Sequence, residues 1–473
     1  MFIDGQWLEI KKTFDVVNPA TGEVIGKVAD GDQSHATDAI EAAHSAFSDW
    51  SQTTAHNRSA ILYHAWQLML DNKTELAALM TSEQGKPLKA SANEVQYAAD
   101  FLLWFAEEAK RSYGETIPSA RPDQRFIVQH QPIGVVAAIT PWNYPISMLT
   151  RKLAPALAAG CTVVLKPAEA TPLCAIAVFR LLAEAGVPPG VINLVTTSTP
   201  APIGKVFCEH PLVRKLTFTG STVVGKMLAR DAAPQLKRVS MELGGHAPFI
   251  VFEDADPVHA AKGAGLVKFL NTGQACICPN RIFVHKNILS EFVTTLTSRI
   301  KKMRVGNGAE EGVAIGPLVD EKAIRKIENQ VNDACDKGAD LLCGGERLTG
   351  DAFDSGYFYS PTVLAGVNDS MLIYREETFG PVAAVIPFDD NDDIIAMAND
   401  THYGLAAYVY TKDLAKAFRT VEQLHFGIIG VNDINPTSAA APFGGMKESG
   451  LGREGAREGL QEYLETKLAG FSV

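Results

Sequence analysis

Nothing in this sequence approaches the run of about eighteen apolar residues that a membrane-spanning helix requires. Its start, Met1-Phe-Ile-Asp-Gly-Gln-Trp7, lacks a basic stretch followed by an apolar one. The expectation is a cytoplasmic protein with no membrane partner. Basic charge is scarce too: 43 Lys and Arg stand against 54 Asp and Glu, a net charge of −11. A nucleic acid needs a basic face, so none is expected as partner. Short basic spots such as Lys11-Lys12 and Lys301-Lys302 read as solvated. Cysteine is sparse: 7 thiols, at positions 161, 174, 208, 276, 278, 335 and 343, an odd number at wide spacing. That pattern favours reduced thiols. No paired C-x-x-C units or suitably spaced histidines occur, and Cys276-Ile-Cys278 is too tight for a zinc knuckle, so no metal is expected.

Amphipathic helical patterns alternate with short β-branched runs through most of the 473 residues, with 46% hydrophobic and 21% charged residues. A chain this long exceeds one compact core, so two or three α/β domains are expected. Residues 34–50, 56–80 and 88–112 read as long helices. The stretch 114–132 breaks the rhythm, and Arg125-Phe-Ile-Val-Gln-His130 reads as a strand of an arm suited to pairing with another subunit. From Gly134, strands at 135–139, 162–165, 191–195 and 215–218 alternate with helices at 147–159, 171–185, 200–209 and 222–233. Short Gly/Pro connections between them are the pattern of a parallel, doubly wound sheet. A second α/β block starts near His246, with strands at 247–252, 281–285, 382–387 and 405–410.

Several segments carry chemistry. Strand 215–218 runs into Thr219-Gly220-Ser221-Thr-Val-Val-Gly225, which opens a helix. A glycine turn followed by free helix N–H groups suits a pyrophosphate, although a plain strand–helix turn is the alternative. The literal G-x-G-x-x-G at Gly450–Gly455 has no strand before it and too few residues after it for the required unit, so it is set aside. Lys166-Pro-Ala-Glu169 follows strand 162–165 at the ligand-binding edge, where its charges can hold ribose hydroxyls or simply face solvent. Asn271-Thr-Gly-Gln-Ala-Cys276 sets a cysteine after a glycine-containing turn; alone it would read as a small core residue. Glu242-Leu-Gly-Gly245 holds a carboxylate at the boundary between the blocks, and Pro141-Trp-Asn143-Tyr-Pro145 fixes an amide between two prolines. A thiol, a carboxylate and an amide at one junction make a nucleophile, a base and an oxyanion donor.

Together with Glu376-Glu-Thr-Phe-Gly-Pro381 and Pro442-Phe-Gly-Gly445, these segments stand in the order and spacing of the aldehyde dehydrogenase superfamily. The chain resembles that family over nearly its whole length. Thr150-Arg-Lys152, Ala158-Ala-Gly-Cys161, the Cys-x-Cys at 276–278 and Ser449–Gly455 make it most similar to the succinate-semialdehyde dehydrogenase group. The resemblance implies a Rossmann-type cofactor domain (1–113 and 133–245), an α/β catalytic domain (246–441), and oligomerisation elements (114–132 and 456–473) building a homodimer or homotetramer. It also implies NAD(P)-dependent oxidation of an aldehyde to its acid through a thioester on Cys276. Asn143 and the Cys276 N–H would hold the oxyanion, and Glu242 would activate water. Hydride departs well only from an alkoxide-bearing carbon, so the nucleophile must add first, and the thioester splits one hard step into two. By the same match Trp142, Lys166, Glu169, Gly220, Ser221, Gly225, Glu377 and Phe379 contact the cofactor. Lys152 and Glu454 relay protons around the base, and Cys278 is either a redox partner for Cys276 or a packed core thiol. NAD is favoured over NADP because Glu169 meets a 2′-phosphate with like charge, although Lys166 could tolerate it.

For the substrate, Arg151 lies about two helical turns past Asn143, and its planar fork suits the distal acid of a short semialdehyde, succinate semialdehyde first. A surface arginine is the alternative. Thr437 and Phe443 complete the expected substrate contacts. Leu270 stands where the group often carries a second arginine. Glutarate semialdehyde, a sulfonated aldehyde and a neutral aldehyde therefore stay open. A CoA-acylating dehydrogenase is disfavoured by the retained Glu242, a cysteine hydrolase by the lack of a His motif for Cys276, and a non-catalytic protein by the intact site.

Overall fold

Five parallel strands from the first half of the chain lie side by side in the order Ile192–Leu194, Thr162–Lys166, Val135–Ile139, Val213–Thr219 and Arg238–Glu242. In chain order this is third, second, first, fourth, fifth. The winding reverses between Val135–Ile139 and Val213–Thr219, and such a reversal opens a crevice at the carboxyl ends of the two strands. The computed structural model describes Met1–Val473. Phe2–Ile3 and Gln6–Trp7 extend one edge of this sheet antiparallel, and Gly450–Leu451 closes the other beside Glu242. The inner strands, such as Val-Val-Ala-Ala-Ile, are buried at every position because helices cover both faces. Val136, Ala138, Val163 and Leu165 pack against helices Ala55–Asp71, Leu88–Glu108, Ser147–Ala159 and Pro172–Glu184. Val135, Ala137 and Val164 pack against Gln33–Gln52, Pro200–Glu209 and Thr222–Ala232.

A second sheet runs Asp340–Cys343, Thr362–Ala365, Val382–Phe388, Pro279–His285, Ala247–Val251, Ala406–Tyr410, Ile428–Val431, with only the first strand antiparallel. Helices Pro257–Lys268 and Lys286–Ile300 cover one face, Glu321–Asp336 and Ile394–Asn399 the other. A third sheet stands apart: Leu464–Ser472 pairs antiparallel with Gln124–Pro132 over nine residues, and Glu115–Ile117 completes it. No helix is long and apolar enough to cross a membrane.

The doubly wound α/β class agrees with the sequence pattern, and helices Ser147–Ala159 and Pro200–Glu209 fall where the periodicity put them. One predicted helix does not survive. The span 56–80 is two helices, Ala55–Asp71 and Lys73–Gln84, broken at Asn72. The Asn72 side chain donates to Leu68 O at 2.8 Å and so competes with the helical backbone. The hairpin Thr13–Val17/Val24–Ala29 and the amphipathic helices Glu321–Asp336 and Leu414–Gln423 are among the elements the sequence pattern did not anticipate.

Candidate active site

The strand Val135–Ile139 ends at the crevice, and the next turn carries Asn143, which is buried. Its Nδ2 donates to Gln274 O at 3.0 Å, and its own carbonyl accepts Asn271 Nδ2 at 2.9 Å. The Asn143 amide has two hydrogens, so one remains for an oxygen above the neighbouring cysteine. The approach to Cys276 is strained: Asn271 and Thr272 hold left-handed backbone at φ 48° and 59°. Such strain persists only where the surroundings over-determine it. Here Gln274 does so, its Oε1 accepting Val319 N at 3.0 Å and its Nε2 donating to Pro317 O at 3.3 Å. Gly245 lies under the same segment, where an added Cβ would run into the Cys276 carbonyl. Cys276 itself is half-buried. Burial pushes its thiol up to about 12; Arg151 pulls it down, while Glu377 and Glu242 add to the rise.

Glu242 ends the strand Arg238–Glu242 and is 4% exposed, with Oε2 unpartnered. Burial raises its carboxyl well above the usual range, and the nearby Glu454 raises it further, against Arg151 and Lys152. Burial would raise Glu454 as well, but Lys152 and Arg151 outweigh it and keep that carboxylate low. Lys152 Nζ sits 2.5 Å from Glu454 Oε1 and 3.2 Å from Thr217 Oγ1. Arg151 Nε lies 2.9 Å from Glu454 Oε2, and its guanidinium rests over the Phe443 ring at 3.9 Å. Glycine at 450, set aside as a phosphate loop, has a different use: a Cβ there would run into Met241 O beside Glu242. Ser449 Oγ ties the next turn, donating to Gly244 O at 2.7 Å.

On the cofactor side, Lys166 and Glu169 form an ion pair at the end of Thr162–Lys166. Gly220 N donates to Glu242 O at 3.0 Å, Ser221 caps helix Thr222–Ala232 by accepting Val224 N, and Gly225 is buried within its first turn. The Thr219 hydroxyl is buried beside them without a partner. Glu377 Oε1 accepts Gly245 N at 2.9 Å, and burial raises its carboxyl. Phe379, left-handed at φ 56°, sets its ring edge-on to Trp142 at 5.7 Å. Open helix N–H groups, an orphaned hydroxyl and a charge pair at one switch point fit a dinucleotide.

Residues 7–469 match the model of the aldehyde dehydrogenase family. The chain belongs to that family. It is 48% identical over 474 aligned residues to glutarate-semialdehyde dehydrogenase of Pseudomonas putida, covering 100% of this chain and 97% of the relative. It is 49% identical to 3-sulfolactaldehyde dehydrogenase of Pseudomonas putida, covering 98% and 95%. Among solved structures, succinate-semialdehyde dehydrogenase from Burkholderia pseudomallei superposes with a TM-score of 0.97 at 45% identity, covering 100% and 97%. This aldehyde dehydrogenase oxidises an aldehyde to its acid with NAD(P).

Cys276, Glu242 and Asn143, the three residues expected to carry the chemistry, lie near one another, and the Lys152–Glu454 pair lies near Glu242. Arg151 is no surface arginine; it is 1% exposed and already faces an anion. Thr437 and Phe443 line a cavity of ≈ 200 Å³ with Gly427, Ile428, Pro436 and Pro442. Leu270, 39% exposed, adds no charge. Cys278 is buried and donates to Val267 O at 3.2 Å, a contact that a bridge to Cys276 would have to break. Sequence reasoning missed Asn271, Gln274 and Ser449, whose side chains hold the turns that carry Asn143, Cys276 and Gly244; only their place inside matched motifs hinted at them. It also missed Glu253, His285 and Asp390, whose ligand-type atoms lie within 4.8 Å of one another. His285 Nδ1 there accepts Asn287 N, so its Nε2 carries the proton facing Asp390, a hydrogen-bonding role and not a ligand's.

Proposed function

We propose that this aldehyde dehydrogenase acts on short aldehydes bearing a distal anionic group, succinate semialdehyde first, through a thioester on Cys276. The Cys276 sulfur, once deprotonated, bonds to the carbonyl carbon, and the oxyanion is held by the free Asn143 amide hydrogen and the Cys276 N–H. Bound NAD(P) supplies the hydride acceptor. The acyl group stays on sulfur. Glu242 then takes a proton from water as the water oxygen attacks the thioester, and sulfur leaves as thiolate. Glu454 and Lys152 carry that proton onward. In this reading Lys166 and Glu169 hold the adenosine ribose and Ser221 with its helix start the pyrophosphate, over Gly220 and Gly225. Glu377, Phe379 and Trp142 hold the nicotinamide end. Hydrolysis rather than CoA transfer follows from a base placed within the site. With a peroxide as two-electron oxidant, Cys276 and Cys278 would lose their two thiol protons and join as a disulfide while the peroxide is reduced to water or alcohol, and a thiol reductant would restore the nucleophile.

The observation that carries the substrate class is the buried guanidinium of Arg151, whose Nη2 has no acceptor. An unsatisfied buried donor is costly, and a substrate carboxylate or sulfonate would satisfy it. The names of the three relatives, all with acidic aldehydes, point the same way. A guanidinium–anion hydrogen bond contributes about 1.5–3 kcal/mol, or roughly 10–100-fold. Succinate, glutarate and sulfonated semialdehydes are therefore expected to exceed butanal in kcat/KM, and Arg151→Ala to collapse that preference by roughly 10–100-fold. The readout is the acidic-to-neutral ratio, because Arg151 also lowers the Cys276 thiol and its loss slows every aldehyde. A ratio unchanged by Arg151→Ala would sink the anionic-substrate reading.

The sequence favoured NAD on the charge of Glu169, but that carboxylate is already paired with Lys166. Neutralised in this way, it opposes a 2′-phosphate less, so both cofactors are expected to be used. Glu169→Gln frees Lys166 and should raise the NADP/NAD ratio of kcat/KM by about 5-fold or more, an ion-pair effect of about 1 kcal/mol. A ratio that falls would reverse the assignment. We read residues 1–113 with 133–245 as the cofactor domain, 246–441 as the catalytic domain, and 114–132 with 456–473 as the contact to a second copy in a homodimer or homotetramer. Exposed Leu468 and Phe471 on the last strand support that contact. A cytoplasmic location suits an enzyme whose nucleophile is a free thiol.

A further inference from the structure

Three buried titratable side chains of the helical layer have no role in the steps above: Glu83, Lys86 and Glu94 are 2%, 1% and 3% exposed. They sit at and beside the turn between helices Lys73–Gln84 and Leu88–Glu108. Buried charges must be paired, so their partners define what they do. Glu94 Oε1 accepts the main-chain N–H groups of Ile146 at 3.0 Å and Ser147 at 3.1 Å, orphan donors at the start of helix Ser147–Ala159. Its other oxygen pairs with Lys86 Nζ. Lys86 Nζ also donates to Asn143 O at 2.7 Å and lies 4.1 Å above the Tyr144 ring. Asn271 Nδ2 reaches the same carbonyl. Both lone pairs of the Asn143 carbonyl are thus taken, one by the helical layer and one by the cysteine turn. The turn is anchored in its own right: Leu88 N donates to Gly308 O at 2.9 Å. Glu83 repeats the device one crossover along, accepting Leu173 N at 2.5 Å and Cys174 N at 2.9 Å at the start of Pro172–Glu184.

We propose that the Lys86–Glu94 ion pair is the positioning element of the oxyanion hole. Lys86 fixes the Asn143 peptide and Glu94 fixes the helix start three residues on, so the amide hydrogen left free by Gln274 points above Cys276. Oxyanion donors act by being held in place before charge develops, and misplacement by about an ångström costs on the order of 100-fold. A buried ammonium suits this role because a charged donor makes a shorter, stiffer bond to a carbonyl than a neutral one. The inference rests on Asn143 being the oxyanion donor.

A double-mutant cycle separates the two claims. The variants are Lys86→Met, Glu94→Gln, the neutral pair Lys86→Met/Glu94→Gln, Asn143→Ala, and Lys86→Met/Glu94→Gln/Asn143→Ala. Removing both charges together keeps the fold testable if Lys86→Met alone strands Glu94. The measurement is the single-turnover rate of NAD(P)H formation with succinate semialdehyde and with butanal, beside cofactor Kd and Tm. The neutral pair should lose about 10–100-fold in that rate with cofactor Kd within about 3-fold. In the Asn143→Ala background the same change should cost less than about 3-fold, since no donor remains to be placed. Losses that multiply across the two sites would overturn the proposal, as would a neutral pair that reacts at the wild-type rate. An Asn143→Ala enzyme with an unimpaired rate would instead remove the oxyanion reading beneath it.

Discussion

Cys276→Ser is expected to lower dehydrogenase turnover by at least about 1,000-fold while leaving NAD(P) Kd within a few-fold. Serine nearly keeps the shape of the side chain but loses the acidity and nucleophilicity of the thiol. The thiol is already hard to ionise here, pushed up to about 12 by burial and by the carboxyls of Glu377 and Glu242. A hydroxyl in the same place has no accessible alkoxide, and Arg151 alone cannot make up the difference. Lys166, Ser221 and Glu377, proposed to hold the cofactor, lie on other strands and loops, so binding should persist. Fluorescence titration with the cofactor and a turnover assay on the same sample make the comparison. A serine enzyme retaining more than about a hundredth of wild-type rate would remove Cys276 as the covalent residue.

The segments of the expected trio were readable because each is short and carries glycines or prolines that fix a turn, after a strand for Asn143 and Glu242 and before one for Cys276. Such turns depend on neighbours in sequence. The parallel sheet was readable for the same reason, from the alternation between Gly134 and Ala232. What could not be read were pairings across long stretches of chain. Arg151 and Glu454 meet only because Gly450–Leu451 returns to the edge of the first sheet. Lys86 reaches Asn143 only because Leu88–Glu108 packs on Ser147–Ala159. Neither lysine nor arginine announces burial in a sequence, since both are exposed by default. The split at Asn72 is a local failure of another kind, in which hydrophobic spacing continued through a residue that bonds its own backbone.

Glu242→Gln is expected to lower steady-state turnover by roughly 100–10,000-fold, the usual contribution of a general base, while a pre-steady-state burst of NAD(P)H remains. Acylation and hydride loss need Cys276 and the oxyanion donors, whereas deacylation needs a proton taken from water. Glutamine fills the same volume and cannot take it. The pH behaviour follows from the environment. Burial and Glu454 raise the Glu242 carboxyl well above its ordinary range, so it ionises at a higher pH than an exposed glutamate. Raising the pH ionises it, and kcat should climb through that transition as the base appears. Glu454 stays ionised between Lys152 and Arg151, and its charge holds the proton on Glu242. Glu454→Gln removes that charge and leaves both cations, so the ascending limb of kcat should move to lower pH. Stopped-flow absorbance at the reduced cofactor band resolves burst from steady state for each variant across the pH range. Loss of the burst in Glu242→Gln would transfer Glu242 to deprotonation of Cys276. An ascending limb left in place by Glu454→Gln, with kcat lowered across the pH range, would show that Glu454 carries protons for the base without setting its affinity for them.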